Sequence, residues 1–219
     1  MSAGKVDARG IYTDRLDSYL RFIGSVGYAR GLRAYFGRAP ILRSGMRILD
    51  AGCGTGVVSL ALRDALEARG LRVGAMDGFD LTPAMLERFR ATLEAGSIEG
   101  VRLAEANVLE LDALLESWTG YDLVVTASML EYVPTARLPE ALAGLRRRLD
   151  ERGMLLLVIT KRNWMMNLLI GRWWDANRYT REELRRAFDR AGFARVTFSR
   201  FPIPWRHLDV WGHIVEAQP

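Results

Sequence analysis

The sequence contains very little cysteine and histidine. Its 219 residues include one cysteine, Cys53, and two histidines, His207 and His213. A single cysteine cannot form an intramolecular disulfide, and it excludes a metal site made of several cysteines from one chain. The His, Asp and Glu residues show no metal-ligand spacing, so we expect no bound metal. The lone thiol is typical of a reducing compartment, which predicts a cytoplasmic location.

Long apolar runs are also missing. No stretch approaches the roughly 20 apolar residues that cross a bilayer, and residues 1–7 lack the apolar run of a signal peptide. Hydrophobic residues make up 49% and charged residues 26% of the chain, proportions that are ordinary for a globular protein and that exclude wholesale disorder. The sequence therefore predicts one soluble domain over residues 1–219.

Acidic residues are fewer than basic residues in this sequence. The 31 Lys and Arg residues outnumber the 26 Asp and Glu residues, which gives a formal net charge of +5. Such an excess suits an anionic partner. Much of it is arginine in helix-like stretches such as 145–149 and 184–186, where a solvated helix face accounts for it. A nucleic-acid partner is therefore not expected.

Short apolar strands alternate with helical stretches from residue 47 onward. This alternation predicts a mostly parallel sheet covered by helices on both faces. Two closing strands without a helix between them predict an antiparallel edge. The fold class is therefore α/β, a three-layer sandwich whose seven-stranded, mostly parallel sheet has one antiparallel edge strand. The predicted strands are 47–50, 71–79, 101–105, 121–126, 154–159, 194–201 and 210–217, and the predicted helices are two pieces within 12–37, then 57–68, 83–95, 112–118, 138–149 and 181–191.

A glycine-rich loop, residues 50–56, lies between the first strand and the helix that follows it. It reads Asp-Ala-Gly-Cys-Gly-Thr-Gly. Glycines permit a sharp turn and a close approach of the backbone to a ligand, and the following helix directs free N–H groups toward it. The strict Gly-x-Gly-x-Gly spacing differs from the Gly-x-Gly-x-x-Gly of nicotinamide-dependent oxidoreductases, and Asp50 would repel a diphosphate. The loop predicts a nucleotide-like cofactor that carries positive charge.

With these motifs, residues 46–160 resemble the class I S-adenosylmethionine-dependent methyltransferases of the small-molecule type. Asp50 and the alternating glycines are similar to the first motif of that family, and Asp80 is similar to the acidic residue that ends its second strand. The resemblance implies a Rossmann-like fold and S-adenosylmethionine as cofactor, with S-adenosylhomocysteine as product. It also implies that Asp80 accepts both ribose hydroxyls and that Asn107, in place of the commoner Asp, binds the adenine amino group. The implied cofactor-binding set is Tyr12, Asp50, Ala51, Gly52, Cys53, Gly54, Gly56, Asp80, Leu81, Asn107, Val108, Ser128 and Met129.

The segments that cover the site in this family are the amino-terminal helices and the insertion after the fifth strand. The resemblance thus divides the chain into an amino-terminal helical lid (1–45), a cofactor-binding core (46–160), a substrate-side lid (161–180) and a closing helix with antiparallel strands (181–219). Residues 160–175 hold three of the six tryptophans and two of the eight methionines, which suits an apolar or aromatic acceptor. The same composition also fits a helix packed on the sheet, or one lying on a membrane surface.

Methyl transfer requires the acceptor nucleophile in line with the methyl group and, for a hydroxyl, removal of a proton. His207 is the candidate base, because it lies in a Pro-rich connection expected at the site, whereas His213 is expected in the core or at an edge. The sequence predicts transfer to oxygen or nitrogen, with carbon left open. The residues expected to contact the acceptor are Glu131, Tyr132, Trp164 and Trp173.

Two alternatives stay open at this stage. One is a binding protein of the same fold that senses the cofactor, or serves another enzyme, without transferring a methyl group. The other is a methyltransferase for a lipid or quinone drawn from a membrane, which implies peripheral membrane contact. The family's Asn-Pro-Pro-aromatic signature for nucleic-acid amino groups is absent, since residues 128–131 read Ser-Met-Leu-Glu. The oligomeric state is not predicted.

Overall fold

The computed structural model describes residues 24–114, 116–163 and 176–219. Within these ranges the elements follow one another as the sequence alternation predicts. The helices are α1 (Tyr28–Arg38), α2 (Val57–Ala68), α3 (Pro83–Ala95), α4 (Leu138–Arg146) and α5 (Arg181–Arg190), and the strands are β1 (Ile48–Ala51), β2 (Met76–Asp80), β3 (Val101–Glu105), β4 (Tyr121–Ala127), β5 (Leu149–Thr160), β6 (Arg195–Ser199) and β7 (Gly212–Gln218).

The strands form one seven-stranded sheet in the order β3-β2-β1-β4-β5-β7-β6. Strands β1 to β5 are parallel, and β7 is antiparallel to both β5 and β6. This confirms the predicted mostly parallel sheet with an antiparallel strand near one edge. The last strand of the chain, β7, inserts between β5 and β6. Strands β2 and β3 lie on one side of β1, whereas β4 and β5 lie on the other, so the strand order switches sides between β1 and β4. Ligands bind at such a switch point, beyond the carboxyl ends of the strands.

Helices cover both faces of the sheet and bury its side chains in separate clusters. On one face, α1 and α2 place Phe36 and Leu62 against Ile48 of β1. On the other face, α4 and α5 place Leu142 and Phe188 against the central strands. The α5 helix begins at Thr180 with a capping box, in which the Thr180 and Glu183 side chains each bond to the other's backbone N–H. Because both faces are covered, the open part of the sheet is its carboxyl edge.

The prediction of a helix over residues 112–118 is wrong. Among the described residues of this connection, the structure has only a short 3-10 turn, Leu111–Ala113. The ring of Trp118 is buried and lies 5.5 Å from the guanidinium of Arg102, which pairs with the buried Asp77 at 2.6 Å. These bulky side chains close this part of the sheet face, so a helix is not needed to exclude water there.

Several helices and strands also begin or end at residues other than those predicted. Strand β2 begins only at Met76, because residues 71–75 form a loop rather than the start of a strand. Helix α4 ends at Arg146, and β5 already begins at Leu149, which pairs with Tyr121 of β4. The connection before β7 folds as a 3-10 segment, Trp205–Val210. Within the described ranges, no helix combines the length and apolar character needed to cross a membrane.

Candidate active site

In the structure residues 50 and 51 belong to β1, so the glycine-rich loop covers residues 52–56 and joins the end of β1 to the start of α2. The backbone N–H groups of Gly52 and Cys53 both donate to the Phe79 carbonyl, at 2.8 and 2.9 Å, which fixes the loop to the end of β2. At Gly52 (φ +75°) an added Cβ would lie 2.4 Å from the Met129 side chain. At Gly54 (φ +53°) an added Cβ would meet no atom within 4 Å. The loop therefore packs tightly at Gly52 and has open space at Gly54.

Asp80 connects the glycine-rich loop to the turn that begins α3. Its Oδ2 accepts from the Gly54 N–H at 2.9 Å, and its Oδ1 accepts from the Thr82 N–H at 2.9 Å. Burial raises the pKa of Asp80, while the bonds from these two amides act in the opposite direction. A carboxylate offers about four acceptor sites, so Asp80 suits hydroxyl groups of a ligand as further or replacement donors.

Asp50 is the fully buried carboxyl at the end of the central strand β1. Its Oδ2 accepts from the Ser59 hydroxyl at 2.7 Å, whereas its Oδ1 has no hydrogen-bond partner among the described residues. Burial raises the pKa of Asp50 to about 7, against the lowering effect of the Ser59 bond. A buried carboxylate with an unsatisfied oxygen is costly, and a positively charged ligand group would offset that cost.

The residues expected around an adenine ring follow β2 and β3. Leu81 is 36% exposed, directly after Asp80, and offers an apolar surface at the site. The Asn107 Oδ1 accepts from the Leu109 N–H at 3.0 Å, and its Nδ2 donates to Glu110 at 3.3 Å. Val108 is buried. The Asn107 amide oxygen retains one lone pair, so its predicted bond to an adenine amino group is compatible with these contacts.

The loop after β4 lies against the glycine-rich loop through Met129, the side chain that requires glycine at position 52. Ser128 has a left-handed backbone (φ +56°), which costs a non-glycine residue on the order of 1–2 kcal/mol. Its N–H donates to the Val158 carbonyl of β5 at 3.0 Å. The structure thus holds Ser128 and Met129 in a strained turn beside the loop where the sequence places the cofactor.

Glu131 is bonded within the fold, and its expected contact with an acceptor stays a prediction. It is 6% exposed, and its Oε2 accepts from the Thr160 N–H at 3.0 Å and from the Thr160 hydroxyl at 2.6 Å. Its backbone carbonyl accepts from the Asn177 N–H at 2.9 Å. We call Glu131, Thr160 and Asn177 the β4–β5 clamp. Tyr132 is half-buried beside it, and its contact with an acceptor stays a prediction.

The two histidines occupy different environments. His207 is exposed, and its Nε2 lies 3.1 Å from the Val26 carbonyl, so this nitrogen carries the proton and Nδ1 is left as the basic atom. His213 is buried in β7, as expected, with its Nε2 at 3.2 Å from the Tyr179 carbonyl. Burial, with the charge of Lys161, lowers the pKa of His213 to about 4. The role of His207 as a base stays a prediction.

Three predicted site residues, Tyr12, Trp164 and Trp173, lie outside the described residues. The sequence reasoning in turn missed Ser59 and the β4–β5 clamp. Ser59 had a signal, since it is a polar residue at the third position of α2, within the otherwise apolar stretch Val57–Leu62. Thr160 and Asn177 had none, because their partner Glu131 is distant along the chain and no local pattern connects them.

Comparison with known proteins identifies the family. A sequence profile described as a methyltransferase domain matches residues 21–197. The chain belongs to this family. Membership confirms the predicted class, the class I S-adenosylmethionine-dependent methyltransferases, and with it S-adenosylmethionine as the cofactor of the domain.

Two curated relatives each match about half of this chain. The chain is 28% identical over 116 residues to the carboxy-S-adenosyl-L-methionine synthase of Dichelobacter nodosus, across 53% of this chain and 45% of that protein. It is 30% identical over 119 residues to the synthase of the same name from Stutzerimonas stutzeri, across 54% and 47%. The chain thus matches slightly less than half of the length of these relatives.

Solved structures show the same methyltransferase fold. A magnesium protoporphyrin IX methyltransferase from Synechocystis, with bound S-adenosylhomocysteine, superposes with a TM-score of 0.69 at 18% identity, over 98% of this chain and 99% of that one. An O-methyltransferase family protein from Burkholderia thailandensis superposes with a TM-score of 0.71 at 14% identity, over 92% and 59%. At these identities the similarity concerns the fold.

The residues of this methyltransferase site fit S-adenosylmethionine. The unsatisfied Oδ1 of Asp50 suits the cofactor's ammonium group, and Asp80 has lone pairs for its ribose hydroxyls. The open space at Gly54 leaves the loop backbone accessible to a ligand. Charge, hydrogen-bonding capacity and space thus agree at three neighbouring positions.

Proposed function

We propose that this methyltransferase domain transfers the methyl group of S-adenosylmethionine to the oxygen or nitrogen of a small, apolar or aromatic molecule. One observation carries the proposal: Asp80 holds the Gly54 amide at 2.9 Å directly beside open space, with the unsatisfied Asp50 oxygen on the neighbouring strand. This arrangement suits a cofactor that has both a ribose and a cationic amino acid end. Methylation of carbon is a variant of the same proposal.

The chain's own part in the reaction is binding and orientation. The sulfonium of bound S-adenosylmethionine supplies a methyl group that is already activated. Asp50 and Asp80 would hold the two ends of the cofactor, and the strained turn at Ser128 and Met129 would fix the side of the site that faces the acceptor. For a hydroxyl acceptor, Nδ1 of His207 is the proposed proton acceptor, and an amine acceptor can release its proton to water.

The nature of the acceptor is supported by composition and by the neighbours' names. The segment 160–175 is rich in tryptophan and methionine, which favours an apolar or aromatic ring system. Two fold neighbours are named for the methylation of magnesium protoporphyrin IX and for O-methyl transfer. A cytoplasmic location and, for a lipid or quinone acceptor, contact with a membrane surface are further parts of this proposal.

Calorimetric titration with S-adenosylhomocysteine tests the cofactor site, with NAD as the competing ligand. We expect binding of S-adenosylhomocysteine and none of NAD. Asp80→Ala removes the charged acceptor for the ribose and should weaken binding by roughly 1.5–3 kcal/mol. Asp112→Ala is the matched control, because its side chain is 91% exposed and should leave binding unchanged.

Incubation with S-adenosylmethionine that carries a labelled methyl group, together with a panel of phenols, amines and quinones, then tests transfer. Label in one of these compounds supports the proposal. Cofactor binding without label in any acceptor would favour the alternative of a sensor or partner protein. Failure to bind S-adenosylhomocysteine, or preference for NAD, would contradict the proposed function itself.

A further inference from the structure

Ser59 lies on the helix that follows the glycine-rich loop, and its hydroxyl bonds to Asp50 at the candidate cofactor site. Ser59 is in the first turn of α2, and both Ser59 and Asp50 are fully buried. The Ser59 Oγ donates to Asp50 Oδ2 at 2.7 Å. A hydroxyl has one proton to donate, so it satisfies only this oxygen. The other carboxylate oxygen, Oδ1, therefore stays without a partner among the described residues.

The titratable and charged groups around Asp50 come from three elements. Asp80, at the end of β2, and Cys53, in the glycine-rich loop, both interact electrostatically with Asp50. Arg90 of α3 also interacts electrostatically with Cys53. Neither Asp80 nor Cys53 can supply positive charge to Asp50, and within the described part of the chain no ion pair reaches it. A cation brought by a ligand would be the missing partner.

We propose that Ser59 is a positioning residue for cofactor binding: its hydroxyl holds one oxygen of Asp50, the other oxygen is kept for the ammonium group of S-adenosylmethionine, and binding displaces a proton from Asp50 to solvent. The inference rests on the proposed function. It assigns a binding role to Ser59, which lies outside the glycine motif, and it couples cofactor binding to the release of one proton.

The direction of the pH effect follows from the burial of Asp50. Burial raises the pKa of this carboxyl to about 7, so near neutral pH part of the ligand-free protein carries the proton. Only the ionised carboxylate attracts an ammonium group, so binding must remove that proton. Affinity for the cofactor therefore decreases as the pH falls below about 7 and levels off above it.

Calorimetric titration with S-adenosylhomocysteine from about pH 5.5 to about pH 8.5 tests this linkage. In the wild-type protein we expect affinity to rise by up to about tenfold per pH unit on the acid side. Ser59→Ala removes the hydroxyl donor that favours the ionised carboxylate and leaves the backbone bond from this residue, so the profile should move to higher pH. The variant should bind about three- to tenfold more weakly at pH 7, with a difference that narrows at the alkaline end.

Two further variants separate positioning from a merely structural effect. Ser59→Thr retains a hydroxyl and should restore the wild-type pH profile. Asp50→Asn should bind weakly and without pH dependence. Titration near pH 6.5 in phosphate and in imidazole buffer, which differ in ionisation enthalpy, should show release of roughly 0.5–1 proton per ligand in the wild type and none in Asp50→Asn.

Distinct outcomes overturn the inference. The inference fails if the affinity of the wild-type protein for S-adenosylhomocysteine does not change with pH. It also fails if Ser59→Ala lowers this affinity by the same factor at every pH. If the pH step disappears in Asp80→Asn but persists in Asp50→Asn, the proton belongs to Asp80 and the assignment fails. Absence of S-adenosylhomocysteine binding at every pH would instead mean that the proposed function is wrong.

Discussion

At the residue scale, neighbouring glycines of the same loop have different roles. Gly52 is required by packing, since the Met129 side chain occupies the place where a Cβ would be. Gly54 has no such neighbour, and its amide is held by Asp80 with open space in front of it. Packing against Met129 therefore explains the first glycine, whereas the second is favoured by its left-handed backbone (φ +53°) and leaves space for a ligand.

This difference predicts opposite outcomes for two alanine substitutions. Gly52→Ala should destabilise the protein by about 3 kcal/mol, because alanine is strained at φ +75° and its Cβ would also displace the Met129 side chain. Gly54→Ala should cost only about 1 kcal/mol of stability but weaken S-adenosylhomocysteine binding at least about tenfold, because the new methyl group occupies the ligand side. Urea denaturation and calorimetric titration measure the two effects. Wild-type binding by Gly54→Ala would show that the open side is not where the cofactor lies.

At the scale of elements, the β4–β5 clamp fixes the carboxyl ends of two strands relative to each other. Glu131 follows β4, Thr160 ends β5, and Asn177 lies just before α5. The Asn177 Nδ2 also donates to the Val133 carbonyl at 2.9 Å, so this position is held to the β4 loop by two bonds. The clamp thus gives fixed positions to both ends of the segment expected to cover the acceptor.

Disruption of the clamp should loosen this edge locally. Glu131→Ala leaves the part-buried Thr160 donors without this acceptor and should reduce the free energy of unfolding by about 2 kcal/mol. Thr160→Val removes only the hydroxyl, and we expect a loss of about 1 kcal/mol. Faster hydrogen exchange of the Thr160 and Asn177 amides would report the loosening. Thr160→Ser retains both donors and is the control; unchanged exchange in Glu131→Ala would contradict the clamp.

At the scale of the whole molecule, the buried carboxylate of Asp50 lowers the free energy of unfolding, although it is the group proposed to bind the cofactor. The unfolded chain carries this carboxyl with its ordinary pKa, whereas folding raises that pKa to about 7. The folded protein therefore binds more protons than the unfolded chain across this interval. The contribution of Asp50 to stability is present at acid pH and is lost as the pH rises toward and through 7.

Asp50→Asn should therefore stabilise the ligand-free protein at about pH 8 by roughly 1–3 kcal/mol, while it weakens cofactor binding. The gain should shrink toward about pH 5, where the wild-type carboxyl is protonated in the fold. Scanning calorimetry without ligand at both pH values measures the difference from wild type, and Asp112→Asn is the exposed control. A variant that is less stable than wild type at about pH 8 would mean that Asp50 contributes stabilising contacts that the structure does not show.

Much of the fold could be predicted from the sequence, because strand and helix periodicity are properties of consecutive residues. Helix α3 and strand β3 begin and end where the pattern places them. The predicted helix at 112–118 failed because the leucine spacing there also suits a short turn, and the stacking of Arg102 on Trp118 joins a residue of β3 to one in the loop before β4. Local patterns identify elements, whereas packing decides between alternatives that the pattern leaves equal.

The sequence by itself determined the cofactor loop, since Asp50, the alternating glycines and Asp80 are recognisable from spacing along one strand–loop–helix unit and the strand after it. Only the tertiary structure decided that Glu131 bonds to Thr160, that β7 inserts between β5 and β6, and that Ser59 bonds to one oxygen of Asp50. The physical reason is burial. Where a polar side chain leaves water, its partner is whatever donor the packed elements bring within about 3 Å, and the order of residues along the chain does not specify that donor.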